Sequence, residues 1–168
     1  MIMEIDDMSF DELLIVAAKS EVNAREVYEY LANRSGNFVV TDRFEFLAGE
    51  EQKHEDFIRD LYKKRNSGKD LDVKKDTPVP IPFIKYDDQT DESEIISQAM
   101  EAEIASRDFY QDLAGKAQSL EGSGDPEKLL RYLAGMEQNH YEILKSERER
   151  MLEFEEFDEY YPAMHMGP

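Results

Sequence analysis

Two stretches of this chain end in the same chemistry. LAGEEQKH occupies residues 47–54 and LAGMEQNH occupies residues 133–140. Each places a glutamate three residues before a histidine, Glu51 before His54 and Glu137 before His140, and this uses two of the three histidines in the sequence. On an α-helix, residues three apart differ by about 300° in direction, so they point within about 60° of one another. A carboxylate and an imidazole placed this way reach the same ion, and a carboxylate from a facing helix adds a third ligand. Two such half-sites, with glutamates bridging between them, hold two divalent cations. Imidazole together with carboxylate suits iron, manganese or zinc better than calcium.

Four segments have the period needed to position these groups, at about 9–34, 41–65, 91–117 and 125–157. Ser9 and Glu12 form a capping-box pattern at the first start. Thr41 is the expected N-cap of the second, Asp91 with Glu94 opens the third, and Asp125-Pro126 opens the fourth. Steps of three and four keep one face inward. That face reads Leu14, Ala17, Glu21, Ala24, Tyr28, Leu31 in the first helix and Phe44, Leu47, Glu51, His54, Ile58, Leu61 in the second. It reads Ile96, Ala99, Glu103, Ser106, Tyr110, Leu113 in the third and Leu130, Leu133, Glu137, His140, Leu144 in the fourth. Charges set among apolar neighbours in this way are not solvated surface, so Glu21, Glu51, His54, Glu103, Glu137 and His140 form the candidate metal site.

The repeat extends beyond eight residues. Aligning KSEVNAREVYEYLA with AMEAEIASRDFYQDLA on their final Leu-Ala matches Glu21 to Glu103, Arg25 to Arg107 and Tyr28 to Tyr110, at an offset of 82. The even helices match at an offset of 86, and the difference falls in a loop, where insertions are tolerated. A helical hairpin has been duplicated. Short connections make helices one and two, and three and four, antiparallel neighbours. Between two and three lies NSGKDLDVKKDTPVPIPFIKYDDQT, with no helical period. It is long enough to run as a strap along a helix of about 37 Å, which allows helices two and three to be parallel. The expected fold is therefore an all-α four-helix bundle with a long crossover, one domain over residues 1–168.

Several residues admit a second reading. Glu50, four before His54, competes with Glu51, but its duplicate is Met136. Glu101 competes with Glu103 but lies off the inward face. Tyr28 and Tyr110 are core aromatics, or donors to the ligands from two turns along the same face. Arg25 and Arg107 pair with Glu21 and Glu103, or are solvated. His165 has no aligned partner and reads as surface, and the tail run EFEEFDEYY as a helix end packing on the bundle or on another subunit.

Composition narrows the function. The net charge of −19, from 39 acidic and 20 basic residues, repels nucleic acid and anionic membranes. No apolar run approaches the roughly 20 residues that span a bilayer. MIMEIDDMSF lacks the pattern of a secretory signal, so a cytoplasmic location is expected. The absence of cysteine removes disulfides, thiolate zinc sites and cysteine-ligated iron–sulfur clusters.

Over roughly residues 9–155 the chain resembles the rubrerythrin branch of the ferritin-like superfamily. The resemblance rests on Glu21 with Ala24 and Tyr28, Glu51-Gln52-Lys53-His54, Glu103 with Tyr110, and Glu137-Gln138-Asn139-His140. It implies a ferritin-like bundle with a non-haem centre of two iron ions, manganese or zinc being alternatives. By resemblance Glu21 and His54 serve one ion, Glu103 and His140 the other, and Glu51 and Glu137 bridge. It also implies an oxidoreductase of oxidative-stress type acting on peroxide or dioxygen, and a homodimer. The chain departs from the family twice. With no cysteine it has no rubredoxin-type iron domain, so a separate electron donor is implied. Rubrerythrins also carry an extra glutamate where this chain has Ser106. Two rival functions use the same six residues: ferroxidase activity with iron storage or delivery, and a non-enzymatic metal-stabilised interaction module.

Overall fold

The computed structural model describes residues 7–73, 84–118 and 126–160, with side chains up to residue 154. It contains four helices, α1 (Phe10–Arg34), α2 (Phe38–Arg65), α3 (Glu92–Ala117) and α4 (Pro126–Tyr160). There is no strand among the described residues. The helix ends follow local chemistry. Ser9 accepts from the Glu12 amide while the Glu12 carboxylate accepts from the Ser9 amide, the reciprocal box that the spacing predicts. α2 starts three residues before the expected Thr41, because Asn37 Oδ1 accepts from the Val39 amide and caps the helix. Thr41 instead donates its hydroxyl to the Ala32 carbonyl, tying α2 back to α1. α2 stops where Gly68, at φ +87°, lets its amide return to the Lys63 carbonyl. Asp91 caps α3 without a side-chain hydrogen bond, and α4 runs to Tyr160, three residues past the expected end. Asp125, the strap centre and His165 lie outside the described residues.

Each hairpin is antiparallel, as the Arg65–Asp11 ion pair at 2.9 Å shows for α1 and α2. The hairpins meet α1 against α3 and α2 against α4. Tyr28 bonds to Glu103 while Tyr110 bonds to Glu21, so α1 and α3 are also antiparallel and α2 runs parallel to α3. The strap flanks lie at opposite ends of the bundle. Leu71 is buried with Phe10, Leu14 and Ile58, and Ile84 is buried with Leu31, Leu47 and Ile96.

Those two groupings are separate apolar clusters that exchange under the duplication. Leu14, Ala17 and Ile58 sit in the first and their duplicates Ile96, Ala99 and Leu144 in the second. Phe44 and Leu47 sit in the second and Leu130 and Leu133 in the first. Each buried Leu or Ile contributes about 1.5–3 kcal/mol. This apolar burial closes both ends of the bundle and leaves a polar layer at its middle, which is costly unless its charges are compensated.

Candidate metal centre

All six candidate residues converge in that middle layer, none more than 3% exposed. His54 Nδ1 stands 3.1 Å from Glu51 Oε2, 3.1 Å from Glu137 Oε1 and 3.5 Å from Glu21 Oε2. His140 Nδ1 stands 3.0 Å from Glu51 Oε1, 3.3 Å from Glu137 Oε2 and 3.7 Å from Glu103 Oε2. Glu51 and Glu137 each turn one oxygen to each imidazole, whereas Glu21 faces His54 and Glu103 faces His140. The imidazole rings are stacked 5.2 Å apart. Ligand atoms of Glu51, His54, Glu137 and His140 all lie within 4.8 Å of one another. The rivals are engaged elsewhere: Glu50 pairs with Lys53, and Glu101 is exposed.

These contacts are close, yet they are not aligned as hydrogen bonds. Both oxygens of Glu51, both nitrogens of His54 and of His140, and Oε1 of Glu137 are buried without a hydrogen-bond partner. Unpartnered buried polar atoms are rare and costly. Here the two Nδ1 atoms and the oxygens of Glu51 and Glu137 face one another, and two divalent cations among four carboxylates would balance the charge. The donor set of oxygens and imidazoles fits such ions.

Proton affinities reflect the same compression of charge. Burial disfavours the His54 imidazolium, but the facing carboxylates of Glu137, Glu21 and Glu51 outweigh it and hold its pKa at about 12. His140 is likewise raised despite burial, by Glu103, Glu137 and Glu51. Burial raises Glu21, aided by the charge of Glu137, and raises Glu103, aided by the charge of Glu51. Burial would raise Glu51 and Glu137 too, but the two imidazoles hold both below the usual carboxylate range. Without cations, protons do the compensating, so cations and protons compete for this layer.

The supporting residues cross between hairpins. The Tyr28 hydroxyl donates to Glu103 Oε1 and the Tyr110 hydroxyl to Glu21 Oε1, so each phenol holds the other hairpin's terminal carboxylate. Burial raises both phenols, which keeps them protonated donors. Neither Arg25 nor Arg107 pairs with Glu21 or Glu103. Arg25 Nη1 donates to Gln52 and to Glu55, and Arg107 Nη1 donates to Gln138 Oε1 at 2.7 Å. Each arginine thus grips the glutamine next to one of the central glutamates, Glu51 or Glu137. The signal was present in the repeat, where Gln52 and Gln138 match as Arg25 and Arg107 do.

A cavity of about 440 Å³ opens between α1 and α3 and reaches Glu21, Glu51, Glu103 and Glu137. Ser20, Ser106 and the strap residues Ile84–Tyr86 line it. The histidines lie behind the carboxylates on the α2 and α4 side, so the open face of the site is the α1–α3 face. Sequence periodicity marks Ser106 as inward but has no means of placing the strap over the site.

Among known proteins, the family model described as Rubrerythrin matches residues 12–148, which spans all of the site. A solved structure of a hypothetical protein from Pyrococcus furiosus is similar, with 32% sequence identity and a TM-score of 0.74. The match covers 90% of this chain and 95% of that one. No curated protein matches. The extent of the family match, laid over a duplicated bundle with a buried Glu/His cluster, establishes that the chain belongs to the rubrerythrin family, within the ferritin-like superfamily.

Proposed function

We propose that the protein is a di-iron oxidoreductase that reduces peroxide or dioxygen with electrons from a separate donor. The observation carrying this reading is the set of unpartnered buried atoms on Glu51, His54, Glu137 and His140, arranged so that each central carboxylate faces both imidazoles. Glu21 with His54 and Glu103 with His140 would hold one iron each, and Glu51 with Glu137 would bridge them. Bound there as two ferrous ions, the metal would supply the two electrons that, with two protons, convert one peroxide to two waters. The protein does the rest. The two apolar clusters keep water from the ends of the site, and Tyr28 and Tyr110 fix the outer carboxylates. The α1–α3 cleft gives a molecule the size of peroxide a path to the carboxylate face. The sequence has no cysteine, which supports an external donor. No helix among the described residues is long and apolar enough to cross a membrane. The exposed Phe46 and Phe57 of α2 and Tyr132 of α4 support a homodimer.

The test is anaerobic loading with ferrous iron, followed by elemental analysis and a single addition of peroxide. The expected result is two irons per chain and loss of one peroxide per two irons oxidised. Retention of two irons with no peroxide consumed leaves a metal-stabilised module instead. A second reading, ferrous oxidation with storage or delivery, is favoured by one feature: the cleft is walled by carboxylates, with exposed Glu26 among its lining. That reading requires iron to accumulate beyond two per chain in a closed multi-subunit shell, which light scattering detects.

A further inference from the structure

The duplication is nearly symmetric around the metal layer but not along the cleft that opens onto it. The offset of 82 that carries Glu21 onto Glu103 carries Ser20 onto Ala102 and Ala24 onto Ser106. All four line the cleft. Because α1 and α3 are antiparallel, the two serines meet, with their Oγ atoms 3.4 Å apart. Their duplicates Ala24 and Ala102 pack instead against the second apolar cluster. One end of the cleft floor is therefore two hydroxyls and the other end two methyls.

The position of each pair along the bundle assigns it to a half-site. Ser20 lies between Ala17 and Glu21, and Ser106 between Glu103 and Tyr110, so the hydroxyl pair sits toward the first apolar cluster, where Ala17 and Tyr110 are buried. His54 precedes Ile58 of that same cluster and faces Glu21. The hydroxyls thus overlie the Glu21–His54 half-site. The methyls, with Ile84 of the strap, overlie the Glu103–His140 half-site. Each serine hydroxyl has one proton to donate and two lone pairs to accept. A bond between them uses one proton and leaves the second hydroxyl's proton available to a ligand in the cleft.

We propose that Ser20 and Ser106 form a binding point for a small oxygen- or nitrogen-donor ligand of about peroxide size, directing it to the Glu21–His54 half-site in preference to its pseudo-equivalent. This rests on the reading of the six residues as holders of two metal ions, and the test separates the two ideas. The protein is loaded with iron, its metal content measured, and the oxidised form titrated with azide as the probe by absorption and Mössbauer spectroscopy. In the wild type, azide is expected to perturb one of the two iron signals. Ser20→Ala/Ser106→Ala should keep two irons and bind azide about fivefold to tenfold more weakly, the size of one hydrogen bond. Adding Ala24→Ser/Ala102→Ser to that variant transposes the hydroxyls, and should restore affinity while moving the perturbation to the other iron. Unchanged azide affinity in the double variant at two irons per chain overturns the proposal, as does equal perturbation of both irons in the wild type. If the double variant loses iron, the wild-type spectrum decides. Failure of the wild type to take two metals overturns the metal reading first, and this proposal with it.

Discussion

The α1–α2 hairpin and the α3–α4 hairpin put the same ligand types on the same rows but hold them with different scaffolding. In the first, Arg25 reaches both Gln52 and the buried Glu55, and Arg59 closes on Glu55 at 2.7 Å. In the second, Arg107 reaches Gln138, but tyrosine stands at position 141, the duplicate of 55, and the remaining Arg107 donors turn to exposed Asp108. The layer at the bundle centre leaves no such freedom. Glu51 and Glu137 each meet an imidazole from both hairpins, and Glu21 and Glu103 each accept from the opposite hairpin's tyrosine. A change in one hairpin there must be answered in the other. On the outer flanks, a lost partner is replaced by water.

The largest effect should separate bridging from terminal carboxylates rather than one hairpin from the other. Glu51→Ala and Glu137→Ala each remove oxygens facing both imidazoles, so both should reduce metal content from two per chain to below about one. Glu21→Ala and Glu103→Ala each touch one half-site and should leave about one. Elemental analysis after equilibration with ferrous iron reads this directly. Unequal losses within the bridging pair would show that the hairpins are not equivalent at the ions.

This division of labour also explains what could be read from the residues alone. The inward rows, the convergence of the six candidate residues and the duplication were legible because burial forces a 3.6-residue period and because the repeat pairs each candidate with another. The length of the strap allowed α2 and α3 to be parallel, as they are. What was hidden depended on contacts across the bundle. Tyr28 and Tyr110 lie on the rows of Glu21 and Glu103, but the partner of each is the carboxylate of the opposite hairpin, which no single helix shows. Arg25 sits four residues from Glu21, a spacing that favours an ion pair, yet the buried Glu55 on α2 is the better-placed acceptor. Asn37 displaced Thr41 as the cap of α2 because side-chain geometry decides between two residues of similar propensity.

Protons sharpen the comparison next. In metal-free protein His54 is held at about 12 and His140 is also raised, against about 6.5 in the unfolded chain. Their stabilisation is fully present below about 6.5 and is lost as pH rises through the folded values. Glu21 and Glu103, raised by burial, act in the same direction from about 4.5 upward. Glu51 and Glu137, lowered, contribute above about 4.5 and lose their contribution in acid. The metal-free melting temperature should therefore fall between pH 6 and 9, by roughly 5–10 °C per pH unit for two protons. Metal affinity should rise over the same range as cations displace those protons. Calorimetry of His54→Gln and His140→Gln tests equivalence: each should remove a similar share of the slope, and a one-sided loss would place the protonation in one hairpin.

The smallest effect belongs to the flanks, and it should differ between the hairpins. Glu55→Gln leaves Arg59 without its carboxylate partner and Arg25 with Glu29 alone, at 3.7 Å, but the two arginine side chains are 37% and 23% exposed and can turn to water. The cost is accordingly below that of breaking a fully buried pair, about 1–2 kcal/mol. Tyr141→Phe, at the matching position, removes no charge partner and should change stability by less than about 0.5 kcal/mol. Urea denaturation of the metal-free variants measures both. Equal costs would mean that Glu55 adds nothing its counterpart lacks. A larger cost for Glu55→Gln in metal-free protein that disappears once metal is bound would show the ions, rather than the arginine network, setting the position of Glu51.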